Sequence, residues 1–192
     1  MNMEPGAFYH IFNRGNNRET IFKEDANYAF FLRQVRNYLL PHLDLYAYCL
    51  MPNHFHLLVQ LHDTGISPPA PRQVRVLTSA EKAFKNCFIS YAKAINKRYG
   101  RVGSLFQTPY KRREITSERY LGNAIAYIHL NPVTAALADR PEDWPHSSYA
   151  ELVGESETVI PREKIFDWFG GKDSFIDFHR DFQAYRDSAP DF

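Results

Sequence analysis

Hydrophobic positions recur along the chain at two spacings, and these divide it into short strands and longer helices. Phe8-Tyr9-His10-Ile11-Phe12-Asn13-Arg14 is a β-favouring apolar run closed by Gly15-Asn16-Asn17, and it reads as a first strand. From Asp25 to Leu40 the spacing changes to three and four, where Tyr28, Phe31, Leu32, Val35, Tyr38 and Leu39 line one helical face that Pro41 stops. Leu45 to Leu50 and His54 to about Leu61 read as two strands joined by a turn at Pro52-Asn53. Asp63 to Pro71, rich in proline with Gly and Ser, reads as a surface loop. Thr78 opens a second helix with Glu81 at the capping-box spacing and an apolar stripe of Phe84, Cys87, Phe88, Tyr91 and Ile95. Gly100 to Pro109 is turn-rich, and Arg112 to Ile115 reads as a fourth strand. Thr116 or Ser117 caps a third helix, with Glu118 in its first turn and Leu121, Ala124, Ile125 and Ile128 facing inward. Two amphipathic stretches, around Arg162–Phe169 and Phe175–Tyr185, close the chain. The order strand, helix, strand, strand, helix, strand, helix predicts an α+β fold. Its antiparallel sheet would carry helices on one face and the last helix of the series near the other.

The chemistry concentrates in Met51-Pro52-Asn53-His54-Phe55-His56-Leu57-Leu58-Val59. Alternation along a strand points His54 and His56 to one face and Phe55, Leu57 and Val59 to the other, into a core. Two imidazoles side by side are two thirds of an open metal site, although a His-x-His pair also occurs with no ligand role. His10, His62 and His129 form no second cluster of the kind a closed zinc site needs. Further on, Tyr127 and Asn131 stand four apart and share a flank if their helix continues. Asn131 precedes Pro132, so it has a second reading as the N-cap of a further helix over Pro132 to Ala138. The expected fold brings Tyr127 and Asn131 toward the two histidines. That gives two imidazoles, an amide oxygen and open positions for water beside a phenol, a donor set that suits Mg²⁺ or Mn²⁺. A tyrosine hydroxyl ordinarily titrates near 10 and is a weak nucleophile at neutral pH, and a cation polarising a phosphate makes its attack feasible. Tyr120, two helical turns earlier on a similar flank, is the rival nucleophile.

Composition narrows the setting. The 192 residues suit one domain, with 44% hydrophobic and 15% aromatic residues for its core. No apolar run is long enough to span a bilayer, the N-terminal residues lack the pattern of a signal peptide, and both cysteines lie in apolar contexts. A cytoplasmic protein without membrane partners is expected. The net charge of +1 conceals an asymmetry, for residues 72–119 hold twelve Lys/Arg against three Asp/Glu, and residues 139–192 hold six against thirteen. The basic block points to a polyanion such as nucleic acid, or else to an internal partner in the acidic tail. Arg14, Lys111, Arg112 and Arg113 are the candidate phosphate contacts, and Lys93 and Lys97 join them on a lysine-rich helix face that also includes Lys82 and Lys85. No glycine-rich phosphate cradle is present, so no nucleotide cofactor is expected.

His54-Phe55-His56 resembles the His-hydrophobic-His signature of the HUH endonucleases. Tyr127-Ile128-His129-Leu130-Asn131-Pro132 resembles the catalytic-tyrosine segment of their single-tyrosine transposases. Together with Asn13-Arg14-Gly15, Gly103-Ser104-Leu105-Phe106-Gln107, Pro141-Glu142-Asp143-Trp144 and Ser147-Ser148-Tyr149, the pattern is similar to the REP-associated tyrosine transposases over roughly residues 7–150. The resemblance implies a ferredoxin-like (RRM-like) HUH core. It makes residues 1–150 the catalytic domain and residues 151–192 a helical, acidic C-terminal extension packed on it. It also implies a nucleoid-associated enzyme that nicks and rejoins single-stranded DNA at or near hairpins of repeated palindromes, acting as a monomer or homodimer. Tyr127 would attack a backbone phosphate to leave a 5′-phosphotyrosine link and a free 3′-hydroxyl. His54 and His56 would be metal ligands, with Asn131 standing where insertion-sequence relatives carry a glutamine, one methylene longer. Two rivals from other classes share the fold: a non-enzymatic regulator that binds structured DNA, and an RNA-binding module with stacking aromatics where the histidines stand.

Overall fold

The computed structural model of the chain describes residues 3–63, 78–155 and 157–188. Strands β1 (Phe8–Arg14), β2 (Leu43–Met51), β3 (His54–Leu61) and β4 (Lys111–Ile115) form one sheet in the order β2-β3-β1-β4. Every neighbouring pair in it is antiparallel. Helix α1 (Asp25–Tyr38) follows β1 and helix α2 (Ser79–Tyr99) follows β3, so the core is a βαββαβ, ferredoxin-like α+β fold. The elements expected from the apolar spacing are all present. Most of the loop expected over residues 63–71 lies outside the described residues.

One face of the sheet is closed by α1 and α2. Phe55 of β3 meets Phe31 of α1 at a ring separation of 4.9 Å and Phe88 of α2 at 5.2 Å, and both Phe31 and Phe55 are wholly buried. Tyr91 belongs to the same core, its hydroxyl donating to the Ile21 carbonyl at 2.8 Å. α2 begins with the capping box read from the sequence: the Glu81 amide donates to Thr78 Oγ1 at 3.2 Å and the Thr78 amide to Glu81 Oε2 at 3.0 Å. It ends on Gly100, whose φ of 61° is the left-handed conformation glycine adopts without strain. The cysteines Cys49 and Cys87 are buried free thiols, and burial pushes Cys87 up to about 12.

Helix α3 (Glu118–Thr134), capped by Ser117, packs on the opposite face, against β2, β3 and β4. It runs straight through Asn131-Pro132, and no separate helix begins at Pro132. The proline sits in the final turn, where it has no N–H to offer the carbonyl four residues back.

The remainder holds α3 and the open edge of β2 in place. The Leu50 amide donates to the His146 carbonyl at 2.9 Å, and Trp144 Nε1 donates to the Leu50 carbonyl at 3.0 Å, so the Pro141–Tyr149 segment covers the outer edge of β2. Helices α4 (Ser148–Val153), α5 (Arg162–Phe169) and α6 (Lys172–Ser188) follow. The α6 residue His179 donates from Nδ1 to the Phe175 carbonyl at 2.8 Å, so its Nε2 accepts from Nδ1 of His129 on α3, 2.9 Å away. His129 Nε2 in turn lies 2.8 Å from Ser148 Oγ. Among the described residues no helix is long and apolar enough to cross a membrane.

This buried chain of imidazoles sets a pH dependence. Burial lowers His179 to about 4 and holds His129 well below its ordinary value. A histidine with a folded value below its unfolded value stabilises the fold fully above about pH 6.5, and the stability is lost as pH falls toward 4. For His179 alone the loss is on the order of 3 kcal/mol. Chemical denaturation from pH 7 down to pH 4 is expected to show falling stability, with a shallower fall in His179→Gln. Parallel profiles for the two proteins would exclude His179 as a contributor.

Candidate active site

β3 turns its second face toward α3. His54 is half-buried and His56 buried, with ring centroids 5.3 Å apart and planes at 81°. The Tyr127 ring of α3 stands edge-on to His56 at 5.7 Å, and it also meets His10 of β1 at 5.9 Å. Sheet register explains the grouping, since Phe12 pairs with His56 and Arg14 with His54, which puts His10, Phe12 and Arg14 on the histidine face. The turn beneath is pinned from outside: the Gly15 amide donates to the Asn53 carbonyl at 2.8 Å and the Ile21 amide to the Pro52 carbonyl at 2.7 Å. Only glycine fits at position 15, where a Cβ would sit 2.1 Å from the Glu19 carbonyl oxygen.

Hydrogen bonds orient the imidazoles. Asn53 Oδ1 lies 2.6 Å from His54 Nδ1 and can only accept, so Nδ1 carries the proton and Nε2 is a bare lone pair. His10 Nε2 and His56 Nδ1 share one proton over 2.8 Å. With that proton on His56, its Nε2 is likewise free to ligate. Both rings are neutral at physiological pH. Burial, reinforced by Arg14, lowers His54 to about 4, and burial with His10, His54 and Arg14 holds His56 well below the ordinary range. His10 falls to about 4 through burial and the Arg113 charge. Neutral imidazoles whose second nitrogen is hydrogen-bonded are what a metal site requires.

Asn131 is buried one helical turn beyond Tyr127, and its Nδ2 donates to the Tyr127 carbonyl at 2.7 Å. Among the described residues no three His, Cys, Asp or Glu come together to hold a metal.

The expected phosphate contacts separate into two groups. Lys111 and Arg113 of β4 pair with Phe12 and His10, lie exposed on the histidine face, and join Arg14 there. Arg113 Nη1 donates to the Tyr120 hydroxyl at 3.1 Å, which places that rival tyrosine beside Arg113. Arg112 is a correction to the sequence reading. Alternation along β4 turns it to the helix side, where its Nη1 lies 2.6 Å from Glu81 Oε1, a carboxylate with 2% of its side chain exposed. Lys93 and Lys97 are also not with the site: they are exposed on α2, in the layer on the far side of the sheet. His10 was missed as a site residue. Its alternation with Phe12 and Arg14 is visible in the sequence, but its contact with His56 depends on the pairing of β1 with β3.

Three short sequence stretches meet at this end of the sheet. Asn13 Nδ2 donates to the Gln107 carbonyl at 3.1 Å, the Gln107 amide to the Arg14 carbonyl at 2.9 Å, and the Asn16 amide to the Leu105 carbonyl at 2.9 Å. Asn13–Gly15, Pro52–His54 and Gly103–Gln107 thus brace one another around the histidines.

Strand β3 of a ferredoxin-like sheet thus presents a His-hydrophobic-His pair to a tyrosine on α3, the helix that follows β4. No family model matches the chain. A protein of Haemophilus influenzae described as "Putative REP-associated tyrosine transposase" is 28% identical over 127 residues, covering 66% of this chain and 67% of that protein. The solved structure of a REP-associated tyrosine transposase bound to a REP hairpin shares the fold, with a TM-score of 0.55 and 16% identity over 83% of this chain and 86% of the other. The chain is thus similar in sequence to the one protein and in fold to the other.

The division of the cations is open to measurement. Arg112→Met removes the cationic partner of the buried Glu81 carboxylate and is expected to cost about 2–3 kcal/mol in urea denaturation. Lys111→Ala and Arg113→Ala, on the exposed face, are expected to cost less than about 0.5 kcal/mol. Equal costs at all three positions would refute the division.

Proposed function

We propose that the chain is a divalent-cation-dependent single-strand DNA endonuclease and strand transferase that acts at or near DNA hairpins of repeated palindromes. The observation that carries this is the edge-on seat of Tyr127 against His56, beside His54 and its free Nε2. A phenol and two neutral imidazoles packed together serve a phosphate-transfer reaction, and a DNA binder without chemistry has no use for the set. His54, His56 and Asn131 would hold Mg²⁺ or Mn²⁺, in keeping with mixed nitrogen and oxygen donors. Bound there, the cation supplies polarisation of the phosphate and stabilisation of the departing oxygen. Tyr127 Oη attacks the phosphorus, the bond to the 3′ oxygen breaks, and the products are a 5′-phosphotyrosine and a 3′-hydroxyl that can reverse the step on another end. Arg14, Lys111 and Arg113 hold the backbone on the same face. Partners of this kind accord with the homologue solved on a REP hairpin.

Incubation with hairpins carrying single-stranded flanks and Mn²⁺ or Mg²⁺ is expected to leave protein covalently attached to DNA, seen as a shifted band on denaturing gels. Chelation of the cation and Tyr127→Phe should each abolish it. An adduct in Tyr127→Phe would disprove the nucleophile, and no adduct in the wild type on any repeated-palindrome hairpin would leave a regulator that binds structured DNA.

His10 acts behind the ligands. His10→Leu removes the partner of His56 Nδ1 and is expected to weaken Mn²⁺ binding about 10- to 100-fold, read by calorimetry without DNA. Unchanged affinity would reduce His10 to a packing residue.

A further inference from the structure

One aromatic ring beside the site is not accounted for by packing. Phe12 lies on the central strand β1, half-buried, on the histidine face of the sheet. Phe8, four residues earlier on the same face, packs against the core under Tyr46 at 5.1 Å and Trp168 at 5.8 Å. Phe12 is outside that core. Among the described residues its ring neighbours are His10 at 4.9 Å and 33°, His56 at 5.8 Å and 24°, and the Lys111 ammonium, 6.0 Å from the ring centre. Lys111 is its register partner on β4, and Arg113 is the next residue on that face. A partly open ring in line with the imidazoles, with a flexible cation above it and a second alongside, has the composition of a single-strand subsite. Such sites offer a π-face to the base and a positive charge to its phosphate.

We propose that Phe12 and Lys111 form a subsite for one unpaired nucleotide next to the scissile phosphate. The base stacks on the Phe12 ring, and Lys111 swings from the ring to the nucleotide's phosphate with Arg113 beside it. The inference rests on the proposed function for its substrate, single-stranded DNA beside a hairpin, but not on cleavage. Stacking accepts every base, so the subsite grips the strand and sets its path without selecting its sequence.

The test compares a hairpin with a short single-stranded flank against the same hairpin with a blunt end, in chelator, so that no covalent adduct forms. Phe12→Leu keeps an apolar side chain and removes the π-face. It is expected to weaken the flanked hairpin about 10- to 100-fold while changing the blunt one less than twofold, with Phe12→Trp restoring the difference. Lys111→Ala should reduce the salt dependence of flanked binding by about one phosphate. A 2-aminopurine placed in turn at each flank position should be quenched at one position by the wild type and not by Phe12→Leu. Equal loss on both hairpins, no loss on either, or no quenching at any position overturns the subsite. Quenching in a protein that never forms the covalent adduct retains the subsite and rejects the nuclease, whereas an adduct with no quenching does the reverse.

Discussion

The structure turns on the alternation of a single strand. Phe55 is wedged between the aromatic faces of α1 and α2, and its two neighbours in sequence are the histidines. Because the side-chain period of a strand is two, burying Phe55 forces His54 and His56 together onto the other face. A slip of one residue would drive both imidazoles into the aromatic core and expose Phe55, so the hydrophobic effect that fixes the register also fixes the site. The braces at Pro52-Asn53 act on the same strand. They hold the end of β3 against β1 through backbone bonds, which a histidine pair near a free strand end would otherwise lack.

Burial does a second job at these rings. His10, His54 and His56 lose their charged forms chiefly by desolvation, with the cations Arg14 and Arg113 adding to the effect. The same face therefore carries positive charge at its rim and neutral lone pairs at its centre. A phosphate meets guanidinium and ammonium groups at the edge, while the middle offers donors suited to a cation. Protonated imidazoles would have no lone pair to offer and would add to the positive charge of the rim.

Much of this was legible in the sequence because it follows from local periodicity. The four strands, the apolar faces of the helices, the Thr78–Glu81 cap and the common facing of His54 and His56 each need only a few neighbouring residues. What escaped depends on pairing between distant segments. His10 joins the site only because β1 lies against β3, and Phe12 meets His56 for the same reason. Arg112 shows the limit of composition: counted in a basic block, it is separated from Lys111 and Arg113 by one step of the strand and bound to Glu81. Other cations of that block are likewise engaged close by, Arg98 with Glu24 at 2.6 Å and Arg101 with Glu19. Charge summed along the chain therefore overstated the charge presented on any one face.

The tyrosine helix is held from two sides, and the spacing along it explains how. Tyr127 and His129 are two residues apart, about 200° around a helix, so one looks to the sheet while the other looks away. His129 is wholly buried, and its two ring nitrogens lie within hydrogen-bond reach of His179 and Ser148. Ser148 Oγ also receives the Tyr48 amide of β2 at 2.9 Å, so the bond network fastens α3 to the edge strand as well as to α6. Rotation of α3 that would lift Tyr127 from His56 must break that polar network in a setting where unmet hydrogen bonds are costly. The azimuth of the phenol is thus set by a residue that never approaches it, through the rigidity of the helix they share.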